Sequence, residues 1–151
     1  MEKQRIVDAH NKVRQMIALG KVAGQPAATN MKEMIWDSEL AVIAQRWADQ
    51  CMPGHDHRRN VGEVIMDTFI SSLNITMLSP DRYAVGQNVA TTWSYNRTPP
   101  SKDKPEFGRH VMGWFDEVTR FQWRARDIDP FNFRMDTGHY TQVSLSLSPA
   151  L

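Results

Sequence analysis

The stretch Gly138-His139-Tyr140-Thr141-Gln142-Val143 carries the reading of this chain. From Gly138 to Leu145 the residues alternate, with His139, Thr141, Val143 and Leu145 on one side and Tyr140, Gln142 and Ser144 on the other. A period of two predicts a strand and puts a histidine near its start. Two other fragments belong with it. Gly54-His55-Asp56 lies far upstream, just after a helix-like run, and Trp114-Phe115-Asp116-Glu117-Val118 sits between the two. Two imidazoles and a carboxylate from distant parts of one domain form a set that can bind a metal or move a proton.

The bulk properties frame that site. A chain of 151 residues with 41% hydrophobic residues and five Trp is one domain, large enough for a real core. Lys and Arg number 18 against 17 Asp and Glu, a net charge of +1, which gives no reason to expect nucleic acid or an anionic membrane as partner. No stretch approaches the roughly 20 apolar residues of a spanning helix. The start, Met1-Glu2-Lys3-Gln4-Arg5, is charged and leads straight into a helical pattern, so no secretory signal peptide is expected in this chain. The single Cys51 argues against an internal disulfide.

Ile6, His10, Val13 and Ile17 share one helical face, which predicts a helix over about 3–19, closed by Gly20. Asp37-Ser38-Glu39 offers a cap and acidic charge to a second helix. Leu40, Ile43, Ala44, Trp47 and Cys51 continue its apolar face, and Pro53-Gly54 ends it. A third helix is expected over about 107–121, striped by Val111, Trp114, Phe115, Val118 and Phe121. Glu117 falls about 40° from Phe121 on a helical wheel, at the border of that stripe. A strand is expected within 83–93, and loops over 94–105 and 124–136. Helices and strands in mixed order without a βαβ rhythm indicate the α+β class.

Several of these residues are familiar together. His10-Asn11-Lys12-Val13-Arg14, Ile35 to Ala41, Ala44 to Ala48, Gly54-His55-Asp56, Val85-Gly86-Gln87-Asn88-Val89-Ala90, Trp114 to Val118 and Gly138 to Val143 stand in an order that resembles the CAP superfamily of cysteine-rich secretory, antigen-five and pathogenesis-related proteins. The spelling Gly-Gln-Asn is most similar to insect antigen-five proteins of venom and saliva. The resemblance covers roughly 3–61 and 81–143. It implies an α-β-α sandwich of the α+β class, an extracellular protein, and a central groove. Carried over by motif, the groove residues are His55, Gln87, Glu117 and His139. The second is Glu in many relatives; an amide there carries no charge and cannot act as a base. The segment 62–80 reads as an atypical insert, expected as an exposed loop. The tail 144–151 stands where the family's last strand region is expected. The insert and the tail together suggest translation of retained introns. The family's cysteine after His-Asp is Arg58 here, so Cys51 has no partner and is expected to be either buried on the apolar face with Trp47 or an orphaned disulfide half.

His55 and His139 are the candidate metal ligands, for zinc, with waters at the other positions. Glu117 would stand behind them or add a third ligand. The blander reading pairs each ring with a neighbour: Asp56 for His55, a backbone group or carboxylate for His139. Glu117 would then be a surface carboxylate beside Arg120 or Arg124, and His57 and His110 would have no role in the groove. No residue sits in a nucleophile elbow, although Thr141 and Ser144 lie close to His139. The expected function is a secreted, non-enzymatic binding protein of the antigen-five type, taking a divalent metal, a small apolar ligand or a host protein. A metal-assisted or Ser-His-Glu hydrolase on the same residues is the first alternative, and a non-functional truncated isoform the second.

Overall fold

The computed structural model of the chain describes residues 2–57, 60–61, 83–91, 106–124 and 132–144. The expected insert at 62–80, the loop 94–105 and the tail beyond Ser144 lie outside the described residues. Helix α1 runs Glu2–Ala18, α2 Ser38–Ala48, α3 Phe107–Phe115 and α4 Gly138–Ser144. Strands β1 (Asn60–Val61) and β2 (Tyr83–Ala84) pair antiparallel, Asn60 opposite Ala84 and Val61 opposite Tyr83. This two-residue ladder is the only sheet among the described residues.

Helix α1 matches the periodicity that predicted it. Val7, His10, Val13, Arg14 and Ile17 are buried along one face. It ends where Gly20 takes φ +64°, a left-handed conformation that glycine adopts without steric cost. The amide of Gly20 donates to Ile17 O and that of Lys21 to Met16 O, so two of the last carbonyls of the helix are satisfied. Helix α2 begins as its sequence suggests: Asp37 Oδ1 accepts from Leu40 N at 2.8 Å, a cap contributing about 1 kcal/mol. Helix α3 stops earlier than expected, at Phe115, and Asp116–Thr119 continue as a 3-10 turn. The tighter winding turns Glu117 toward the residues that follow 134 rather than along the α3 stripe.

The core lies among α1, α3 and α4. Val13, Ile17, Val22, Val111, Phe115, Tyr140 and Val143 form one buried cluster, with Trp114, Val118 and Phe121 packed against it. A second, smaller cluster joins Met34, Leu40 and Val85 beside Trp36 and Ile43. Polar contacts bind the 32–34 segment to α1. Asn11 Nδ2 donates to Met34 O at 2.9 Å, and Asn11 Oδ1 accepts from Met34 N at 2.8 Å. Three residues on, Arg14 donates to Lys32 O and to Val143 O. Asn11 and Arg14 at this helical spacing thus read backbone, which accounts for two polar residues in the His10–Arg14 motif.

Two expectations are overturned. Gly138–Ser144 is a helix, not a strand. Its buried residues are Tyr140, Thr141, Val143 and Ser144, the i, i+1, i+3, i+4 pattern of a helix packed on one side. Thr141 Oγ1 donates to Gly138 O and Ser144 Oγ to Tyr140 O, so both hydroxyls are absorbed by the helix's own carbonyls. Cys51 is exposed rather than buried, because α2 ends at Ala48 and Cys51 itself takes φ +52° in the following turn.

Candidate functional site

The four carried-over residues form two anchored pairs. In the first, His55 Nδ1 lies 2.8 Å from Gln87 Oε1, and the same oxygen accepts from Asp56 N at 3.1 Å. Asp56, which the sequence offered as the anchor of His55, acts through its backbone amide instead. Gln87 is buried and His55 exposed. Gln87 Nε2 has no hydrogen-bond partner among the described residues. An unmet buried donor costs about 1–3 kcal/mol, so the amide sits here despite half of it being unsatisfied.

In the second pair, His139 Nδ1 lies 2.8 Å from Glu117 Oε1. Glu117 Oε2 accepts from the backbone amides of His139 at 3.0 Å and Tyr140 at 3.2 Å. One carboxylate therefore holds the His139 ring and caps the first turn of α4, where backbone N–H groups lack helical partners. The Glu117 side chain is 12% exposed and that of His139 34%. Arg120 approaches Glu117 at 3.6 Å from the solvent side, the partner that the blander reading expected. The His139 ring stacks on Trp114 at 6.2 Å and 20° between planes, and Trp114 faces His10 at 6.2 Å on its other neighbour.

The loop 85–91 ties the pairs together. Gln87 reaches His55, and the next residue, Asn88, donates from Nδ2 to His139 O at 3.0 Å. Consecutive Cα atoms lie about 3.8 Å apart, so both histidine segments are pinned to one short piece of backbone. Gly86 makes this approach feasible: a Cβ there would run into the side-chain amide of Gln142 on α4. The sequence named the four groove residues but not Asn88 as the bridge, nor the second role of Glu117. The adjacency of Gln87 and Asn88 was the available signal for the first; nothing local signals the second.

Each ring has Nδ1 engaged by an oxygen, and neither Nε2 meets a described residue. An imidazole held through one nitrogen by an oxygen acceptor is the usual arrangement behind a metal-ligating or hydrogen-bonding second nitrogen. Imidazole nitrogen is a donor that suits a divalent ion of borderline character, but two rings alone do not make a closed metal site. Among the described residues, no group of three or more His, Cys, Asp or Glu is placed to hold a metal. His57 is exposed, as expected. Thr141 and Ser144 are buried and bonded within α4, so neither hydroxyl is presented to His139 as a nucleophile. No helix among the described residues is long and apolar enough to cross a membrane.

Known proteins resemble this chain over most of its length. Residues 7–146 match the cysteine-rich secretory protein family. The chain is 38% identical over 149 residues to venom allergen 3 of Solenopsis invicta, covering 94% of this chain and 53% of that relative. It is 35% identical over 151 residues to venom allergen 5 of Brachyponera chinensis, covering 94% of this chain and 63% of the relative. Against venom allergen 5.01 of Dolichovespula maculata the identity is 36% over 147 residues, covering 94% and 53%. The chain thus spans between about half and two thirds of the length of these relatives. No solved structure matches. With the family matched across both histidine segments and the loop that joins them, the chain belongs to the cysteine-rich secretory protein, or CAP, family.

Proposed function

We propose that this chain is an extracellular, antigen-five-type binding protein that acts by holding a ligand rather than by turnover. The observation that carries the reading is the pinning of His55 and His139 to consecutive residues, with each ring anchored at Nδ1 and its Nε2 without a partner among the described residues. Such a groove suits a divalent ion such as zinc, with His55 and His139 as ligands and Glu117 behind His139. Bound there, the ion would supply a positive centre able to take an oxygen of a further ligand, a small molecule or a group on a host protein. The likeness to venom allergens supports extracellular action. The absorbed hydroxyls of Thr141 and Ser144 weigh against the Ser-His-Glu hydrolase. The surrounding architecture we infer is the three-layer α-β-α sandwich, with α1, α3 and α4 as part of its helical material and 62–80 as an insert in the β1–β2 connection.

Zinc titration by calorimetry, on the wild-type chain and on the His55→Ala/His139→Ala double variant, tests the site. Binding that disappears in the double variant supports it; equal binding by both proteins removes it. A peptide and ester screen with Glu117→Gln as control tests the claim of no turnover, and hydrolysis that Glu117→Gln abolishes would overturn that claim.

A further inference from the structure

We propose that Gln87 is the positioning residue that sets which nitrogen of His55 is offered to a ligand. Gln87 Oε1 lies 3.1 Å from the backbone N–H of Asp56, which can only donate. Turning the amide over would bring its NH2 group against that N–H, donor against donor. The Asp56 amide therefore fixes the oxygen in place. That same oxygen lies 2.8 Å from His55 Nδ1, and an amide oxygen can only accept. The proton of the neutral imidazole must then sit on Nδ1, and the lone pair on Nε2. An imidazole left to itself would exchange between tautomers; here one oxygen on the neighbouring loop, held in place by the Asp56 amide, chooses for it.

Burial makes the selection firm. Gln87 is only 6% exposed, so water does not compete for its oxygen. The idle Nε2 of the amide indicates which half of the side chain the site uses. A carboxylate at this position would accept from both donors equally well. It would add a negative charge and strengthen His55 as an electron-pair donor. The amide keeps the geometry and omits the charge. The two rings of the groove thus become unequal ligands: His139 backed by the Glu117 carboxylate, His55 by a neutral oxygen. A divalent ion would be held more weakly than by two carboxylate-backed imidazoles and released more readily. This consequence rests on the metal reading above, whereas the tautomer itself does not.

The test is nitrogen NMR of the metal-free chain at about pH 8, above the ordinary imidazole range. The expected result is a protonated Nδ1 and an unprotonated Nε2 on His55, with a scalar coupling from Nδ1 across the hydrogen bond to the Gln87 side-chain carbonyl. A proton on Nε2 in the wild type, or a protonated Nδ1 without that coupling, overturns the proposal. Gln87→Met removes the acceptor at similar length and should let His55 exchange between tautomers, while Gln87→Glu should restore the wild-type pattern. A Gln87→Met protein that folds and keeps the pattern also overturns it. If Gln87→Met fails to fold, the wild-type coupling decides alone. Zinc titration of Gln87→Glu, expected to bind about 10–100-fold tighter than wild type, is read separately. Absence of zinc binding in every variant would remove the metal reading and leave the tautomer result standing.

Discussion

Arg14, in the first helix, donates from Nη1 to the carbonyl of Val143 at 2.8 Å, 129 positions further along the chain. Its other nitrogens donate to Lys32 O at 2.6 and 3.2 Å. One buried guanidinium thus joins the helix that opens the chain, the segment that follows it, and the last described turn of α4. Replacing Arg14 by Met strands the buried Val143 carbonyl and takes the donor from the part-buried Lys32 carbonyl. The expected loss is about 2–4 kcal/mol of stability, read from the urea midpoint. A change under about 0.5 kcal/mol would show that these bonds contribute little over water.

Glu117→Gln separates the cap from the charge. The amide can accept at one atom only, yet the carboxylate accepts from His139 N and Tyr140 N at Oε2 and lies beside His139 Nδ1 at Oε1. With the oxygen kept on the two backbone N–H groups, the NH2 group meets His139 Nδ1 and forces that ring onto its other tautomer; with the amide turned over, the NH2 group meets the backbone donors. The expected outcome is a loss of about 1–3 kcal/mol with faster exchange of the Tyr140 amide. Arg120→Ala, on the exposed side of the same carboxylate, should change stability by no more than about 1 kcal/mol. If the two variants are equally mild, the carboxylate does not cap α4.

Tyr140 gives a dependence on alkaline pH. Burial pushes its phenol up to about 12, opposed in part by the hydrogen bond with Ser144. An ordinary phenol ionises near about 10. The folded chain holds this proton more tightly than the unfolded chain, so the associated stability is fully present below about pH 10 and is lost as pH rises toward about 12. Stability curves across that interval should fall for the wild type and fall less steeply for Tyr140→Phe. Phenolate absorbance from Tyr140 near pH 10 in the folded protein would contradict this.

Gly86 and Gln142 should be coupled. A methyl at Gly86 meets the Gln142 amide, which must move aside. Because only the far end of that flexible, half-buried side chain is met, Gly86→Ala is expected to destabilise by less than about 1 kcal/mol, and adding Gln142→Ala should recover most of the loss. A double-mutant cycle measures the interaction; strictly additive effects would mean that the loop is free to shift without disturbing α4.

The helices with local signals were legible. Ile6, Val13 and Ile17 announced α1 by their spacing, and Asp37 announced the start of α2 by its chemistry. His55, Gln87, Glu117 and His139 were singled out only through a resemblance, and in the structure they stand as two hydrogen-bonded pairs. What failed was the segment 138–145. Alternation there came from Thr141, Val143 and Leu145, residues that also suit strands. Seven residues are too few for intrinsic propensity to decide. The helix is made by groups far away in sequence: Glu117 occupies its first N–H groups, Arg14 takes the carbonyl near its end, and Val13, Val111 and Phe115 line the cluster in which Tyr140 and Val143 are buried. None of these is visible within a window around His139. The exposure of Cys51 was hidden for a related reason, since continuing the apolar face past Ala48 assumed a turn of helix that does not form.

Because Glu117 supports both the His139 ring and the opening N–H groups of α4, any guest bound at that ring would be thermodynamically linked to local folding. A guest that drew this carboxylate toward itself would leave the helical turn uncapped and fraying. One that bound only at the far nitrogen of the ring would leave the turn tightened. The order of the first turn of α4, which carries His139 itself, would then differ with the kind of guest held.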